Sequence, residues 1–215
     1  MKDAAKRLVT RGQPVRESEP ADGRVARSHR SRVAIVDAMR ALHAEGDLRP
    51  TAPRIAERAG VSLRTLWQQF TDMETLLVEA NKRDDEILRS LLVRIDTGQP
   101  LPARVEQFTG QRARILEHMT PSWRAARIQQ PFSAELRRAK ARTLALGRAD
   151  LERVFTPELA ELAGTRRQQL LDGLHSVSTW SFWESLRTEL NLAPEQALEL
   201  MRANFSAVLA AGGFA

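Results

Sequence analysis

The chain has 215 residues, 42% hydrophobic and 28% charged, which is enough for one large domain or two small ones. It has no cysteine, which excludes disulfides, thiol catalysis and cysteine-based metal sites. Its net charge of +6 is unevenly placed: residues 1–32 hold nine Lys/Arg against four acids, and the remainder 24 against 23. A basic end on a near-neutral body fits a polyanion partner, although a solvated terminus has the same composition.

Residues 1–28 contain Gly12, Pro14, Pro20 and Gly23 among few apolar positions and are expected to form a flexible basic arm. From His29, Val33, Ile35, Val36, Met39 and Leu42 fall at helical spacing, predicting a helix over about 29–45 that ends at Gly46. Thr51 is placed to cap a short second helix with Pro53 in its first turn. Gly60 breaks that helix, and Ser62 starts a third that ends near Phe70. Thr71-Asp72-Met73-Glu74 has the form of a capping box and opens a long fourth helix to about Asp96.

A break at Thr97–Pro102 leads to a helix ending at about Thr120 and a short one opened by Pro121. Pro131 precedes a long helix to about Phe155, and Thr156-Pro157 starts a short piece ending at Gly164. Two closing helices, at about 165–190 and 194–211, complete the chain. With no period-two strand and no internal repeat, the fold is expected to be all-α.

Residues 51–70 have the outline of a helix-turn-helix. Ala56 is small enough for two helices to approach, Gly60 can take the positive φ of the turn, and Val61 and Leu66 fill the wedge. With Leu66 inward, Arg64 and Gln68 lie on the opposite face of the third helix, with Thr65 and Trp67 at the flanks. Arg and Gln suit bidentate contacts with guanine and adenine edges. The same pattern would also serve as the solvated face of an ordinary helical hairpin.

The string TAPRIAERAGVSLRTLWQQFTDMETLL resembles the DNA-binding domain of the tetracycline-repressor (TetR-type) family of transcriptional regulators, over about residues 30–78. Ile55-Ala56, Ala59-Gly60-Val61-Ser62, Thr65, Leu66, Phe70, Glu74 and Leu76-Leu77 fall in register with it. The resemblance makes residues 62–68 the recognition helix and sets Thr65 and Trp67 near phosphate. It departs at Trp67, Gln69 and Met73, where the family commonly has tyrosine, histidine and lysine. The missing lysine weakens the phosphate term, which Arg24, Arg27, Arg30 and Arg32 of the arm are expected to restore. The expected DNA-binding set is Thr51, Arg54, Ser62, Leu63, Arg64, Thr65, Trp67, Gln68 and Gln69, with Arg27 and Arg30. The implied organisation is an arm at 1–28, a three-helix helix-turn-helix domain at 29–75, and a helical effector-binding and dimerisation domain at 76–215.

Between 170 and 190, apolar residues including Leu174, Val177 and Trp180 surround most of a helix, which predicts burial on two sides. Leu198, Met201 and Phe205 give a matching stripe on the last helix. The resemblance implies that these two helices form a four-helix dimer bundle, so that a homodimer meets a pseudo-palindromic site on double-stranded DNA. It also implies a pocket for a small, largely apolar effector, for which Phe108, Ile115, His118, Met119, Trp123, Phe132 and Phe155 are the expected lining. Repression relieved by that effector is the expected activity.

No phosphate-binding glycine loop, HExxH or GxSxG is present, so an enzyme is not expected. An adaptor working through protein contacts is the other alternative. The four isolated histidines suggest no metal site, and no cofactor is expected. No apolar run reaches a membrane span and no signal peptide is evident, so a soluble, cytoplasmic protein is expected.

Overall fold

The computed structural model describes residues 21–214 and holds ten α-helices and a 3₁₀ turn, with no strand among the described residues. The first helix, α1 (Ala21–Ala44), begins before His29. Residues 21–28 are therefore helix and not arm: Ala21, Arg24, Ala26 and Arg27 are good helix formers, and Ser28 is tied to a later helix. Residues 1–20 of the expected arm lie outside the described residues.

Two short helices follow, α2 (Ala52–Arg58) and α3 (Leu63–Gln69). Thr51 stands at the N-cap of α2 in extended conformation, but its side chain makes no capping hydrogen bond. Gly60, at φ +66°, ends α2. Its N–H donates to Glu57 O at 3.1 Å, and Val61 N–H donates to Ala56 O at 3.0 Å. This pair of bonds needs a left-handed residue at the glycine position. Ser62 then caps α3 by accepting from Thr65 N–H at 3.0 Å.

Helix α4 (Met73–Leu91) is capped by Asp72, whose Oδ1 accepts from Thr75 N–H at 2.7 Å. The expected cap, Thr71, instead pairs its hydroxyl with that of Thr75. The helix stops short of Asp96, where Gln111 Oε1 takes up Val93 N–H at 2.7 Å.

The chain does not break at Pro121. Helix α5 (Leu101–Gln129) runs through it. Proline removes one ladder bond, but the turn is held from outside: Thr120 donates its hydroxyl to Leu116 O at 2.7 Å and accepts from the Trp180 indole at 3.0 Å. A 3₁₀ turn (Gln130–Phe132) leads to α6 (Ala134–Val154) and the short α7 (Thr156–Ala160).

The expected helix over 165–190 is two: α8 (Gly164–Ser176) and α9 (Trp180–Thr188). Ser178 bonds back to Leu174 O at 2.8 Å, and the Thr179 hydroxyl accepts from Phe182 N–H to start α9. Such side chains offer the backbone an alternative to the helical ladder. The last helix is α10 (Pro194–Gly212).

The first three helices and the start of α4 close over Ile35, Leu42, Ile55, Ala56, Leu66, Phe70 and Leu76. Leu136 of α6 joins this core and ties it to the rest of the chain. A second core centres on Phe108, Phe155 and Phe205, with ring centroids 5.1–5.5 Å apart. Each such buried side chain contributes roughly 1.5–3 kcal/mol. Beside it, Arg104 donates to Glu158 Oε2 at 2.8 Å and to Val154 O at 2.9 Å, fastening α5 to α7.

Candidate nucleic-acid interface

Leu66, fully buried, fixes the inward side of α3. On the outer side Leu63, Arg64, Trp67 and Gln68 are exposed, and Trp67 keeps 42% of its surface in solvent. Arg64 and Gln68 form no side-chain hydrogen bond or ion pair with another described residue, so their donors are uncommitted. Thr65 is half-buried, its hydroxyl 2.8 Å from that of Ser62. The Ser62–Thr65 pair therefore sets the start of the helix as well as offering hydroxyls. Thr51 is exposed at the start of α2. Arg54 is exposed too, but it pairs with Asp47 at 2.7 Å, which partly offsets its charge.

Gln69 has a different task from the one its sequence position suggests. Its Nε2 donates to Ser28 Oγ at 2.9 Å, and its carbonyl accepts from Arg32 Nη1 at 2.7 Å. Arg32 also pairs with Glu79 at 3.4 Å and lies 4.3 Å above the Phe70 ring. Both residues fasten α1 to α3 and α4, so neither is an uncommitted DNA contact. In exchange, the early turns of α1 are held beside α3 and carry Arg24, Arg27 and Arg30 exposed. Nothing in the sequence spacing links Ser28 to Gln69, 41 residues apart.

Residues 35–80 match the family model of bacterial regulatory proteins, tetR family. This segment, which holds the end of α1, α2, α3 and the start of α4, is thus a tetR-type N-terminal domain. Among solved structures, it is similar to a transcriptional regulator from Rhodococcus sp. Rha1 at 15% identity and a TM-score of 0.65, covering 86% of this chain and 96% of that one. A protein assigned as a TetR-family transcriptional regulator, from Rhodococcus sp., gives 18% identity and a TM-score of 0.64, with 83% and 98% covered. One from Mesorhizobium loti gives 20%, 0.56, 86% and 98%. At these identities the likeness is one of fold, and it extends over both halves of the chain. No curated protein matches the chain in sequence. The fold is one shared with proteins described as transcriptional regulators, and its N-terminal part is a tetR-type helix-turn-helix domain. No helix among the described residues is long and apolar enough to cross a membrane.

The C-terminal half of the chain holds a cavity of about 390 Å³ between α4, α5, α6 and the α8–α9 corner. Of the lining expected from the sequence, only Trp123 is there. Phe108, Ile115, Met119 and Phe155 are almost wholly buried and fill the cores. His118 is exposed on the far side of α5. Phe132, 80% exposed on the 3₁₀ turn, borders a separate cavity of about 460 Å³ against α1 and α4, which His43 also lines.

The residues that do line the first cavity include Arg112, Lys140, His175 and Trp180. Burial lowers the His175 pKa, with Arg148 and Arg112 adding to the shift and Asp172 opposing it. A signal for Arg112 was present in the sequence: it sits four residues after Phe108 and four before Leu116, an arginine within an apolar stripe.

The expected dimer residues also divide. Leu174, Met201 and Phe205 are fully buried within the single chain, so they are core and not interface. Val177, Trp180 and Leu198 are half-buried. The outward face of α10 carries Leu200, Ala203, Ala207 and Ala210 instead. No group of three or more metal-ligating side chains stands together among the described residues.

Proposed function

We propose that the protein is a homodimeric, sequence-specific repressor whose grip on a pseudo-palindromic operator is loosened by a small molecule held in the α4–α5–α6 cavity. The observation that carries the reading is the uncommitted outer face of α3, with Arg64 and Gln68 opposite the buried Leu66. Ser62, Thr65, Thr51 and the indole of Trp67 are assigned to phosphates, with Arg54 and the α1 arginines adding charge. Residues 29–75 act as the DNA-binding domain in the cytoplasm, and residues 76–215 hold the effector and the partner subunit. Asn81 and Asp85 of α4 line the cavity while the start of the same helix packs in the first core. An effector that prefers one setting of α4 would therefore shift the spacing of the two recognition helices.

Selection of random duplex DNA by the purified protein, at about 150 mM salt because affinity depends steeply on it, is expected to enrich an inverted repeat. Arg64→Ala should then cost about 1–3 kcal/mol and relax preference at one position of each half-site. Enrichment of no sequence by a folded dimer would end this reading of α3 and favour an adaptor.

Dimerisation is assigned to the outer faces of α8 and α10, where Ala203, Ala207 and Ala210 let helices approach closely. Ala207→Glu should sediment as a monomer and lose most operator affinity, because each half-site alone is bound weakly. A variant that remains dimeric places the interface elsewhere.

A further inference from the structure

Arg112 is only 9% exposed, yet its charge is poorly matched by the chain around it. Nη2 donates to Gly147 O at 3.3 Å. The nearest carboxylate, Asp150, stands 3.6 Å away, and its other oxygen is held by Arg153 at 2.8 Å. Asp150 Oδ2 itself is buried without a hydrogen-bond partner. A guanidinium carries five N–H donors, and burying one with few acceptors is costly.

The seat of Arg112 is nevertheless built for it. A Cβ at Gly147, in mid-helix, would come within 3.1 Å of Nη1. A glycine there weakens α6 by about 1 kcal/mol relative to alanine, and it leaves the guanidinium its room. The guanidinium carbon lies 4.9 Å over the Phe108 ring, which fixes its plane.

The other charged lining residues are mainly cationic. Lys140 and Arg127 add two further cations, with Arg127 lying 5.2 Å over the Trp180 ring. Asp85 is the one carboxylate among the described lining residues. Burial pushes its carboxyl up, opposed by Arg89 and Arg142. Leu116, Trp123 and Leu136 supply an apolar wall.

We propose that this cavity takes a carboxylate with an apolar body and that Arg112 is its anchor; the inference rests on reading the cavity as the effector site. The planar carboxylate matches the fork of a guanidinium already held flat. A cationic effector would meet three like charges against the single carboxylate of Asp85, and a wholly apolar one would leave Arg112 with the Gly147 carbonyl as its one hydrogen-bond acceptor among the described residues.

The test is calorimetry on the full chain with two matched pairs, decanoate against decanamide and 2-naphthoate against 2-naphthamide. At least one acid should bind about tenfold or more tightly than its amide, the difference a charge-assisted hydrogen bond makes. Arg112→Met should erase that preference while amide binding persists, which also reports that the variant is folded. Equal binding of acid and amide by the wild type overturns the proposal without any variant, as does an acid preference that survives Arg112→Met. If acids and amides alike bind and release operator DNA, the effector reading stands and the anion anchor falls. If none of the four binds, the anchor falls and the effector reading loses its support.

Discussion

Arg40→Met should cost about 3 kcal/mol of folding stability, and Asp84→Leu only about 1 kcal/mol, although both remove the same bond. Arg40 Nε donates to Asp84 Oδ1 at 2.7 Å, joining α1 to α4. The two ends differ in surroundings: the Asp84 side chain is 3% exposed and that of Arg40 20%. Burial pushes the Asp84 carboxyl up, while Arg40 and Ser122 of α5 oppose that shift by favouring the ionised form. Without Arg40 the carboxylate stays buried and uncompensated, or it takes up a proton. Without Asp84 the guanidinium can turn to water. The cost of Arg40→Met is set at the low end of the range for broken buried pairs because Arg40 is partly solvated. Urea unfolding of the two single variants and the double variant decides the matter. The double variant should recover most of the loss from Arg40→Met, and equal losses for the two singles would refute the asymmetry.

The pair also bears on how the two halves communicate. Asp84 faces α1 and α5, while its neighbour Asp85 lines the cavity. Helix α4 thus carries, on adjacent residues, a fastening to the helix-turn-helix domain and a wall of the proposed effector site. The double variant is therefore the one in which stability and effector response should separate.

How much of this was legible in the sequence follows from how local each signal is. The helix-turn-helix was readable because Ala56, Gly60, Ser62 and Leu66 answer to demands within a few residues of themselves, and each takes its expected place. Pro121 misled because its local preference is overruled by a bond from Trp180, 60 residues away. The apolar run over 165–190 predicts one helix, whereas Ser178 and Thr179 divide it by local hydrogen bonds. The cavity was least legible. Its walls come from four stretches of chain, and its distinctive residues are polar, whereas the large apolar side chains of the same helices fill the core. The outer face of α10, proposed above for the partner subunit, is faint in the sequence for the same reason: a stripe of alanines has little apolar signal beside Met201 and Phe205.

The DNA-binding domain should lose about 3 kcal/mol of stability as pH falls from about 6.5 to about 4, and His43→Leu should abolish that loss. His43 ends α1, is 2% exposed, and has no hydrogen-bond partner for Nε2 among the described residues. Burial lowers its pKa to about 4, with Asp47 opposing and Arg40 adding to the shift. Arg49 and Glu74 border the same cavity from the neighbouring loop and α4. The sign follows from proton binding: the unfolded chain takes a proton on this histidine near 6.5, and the folded chain refuses it until about 4. Acid therefore favours unfolding throughout that window and adds nothing further below it. Leucine at position 43 cannot titrate and removes a buried unpaired nitrogen, so at pH 7 the variant should match or exceed the wild type. The informative quantity is the difference between the two proteins in urea midpoint across pH 4–7, because carboxylates that titrate in both cancel. A gap that widens steadily toward acid supports a neutral, buried His43. Parallel profiles would mean that the ring is solvated or partnered in solution, and that acid acts on this domain through its carboxylates alone.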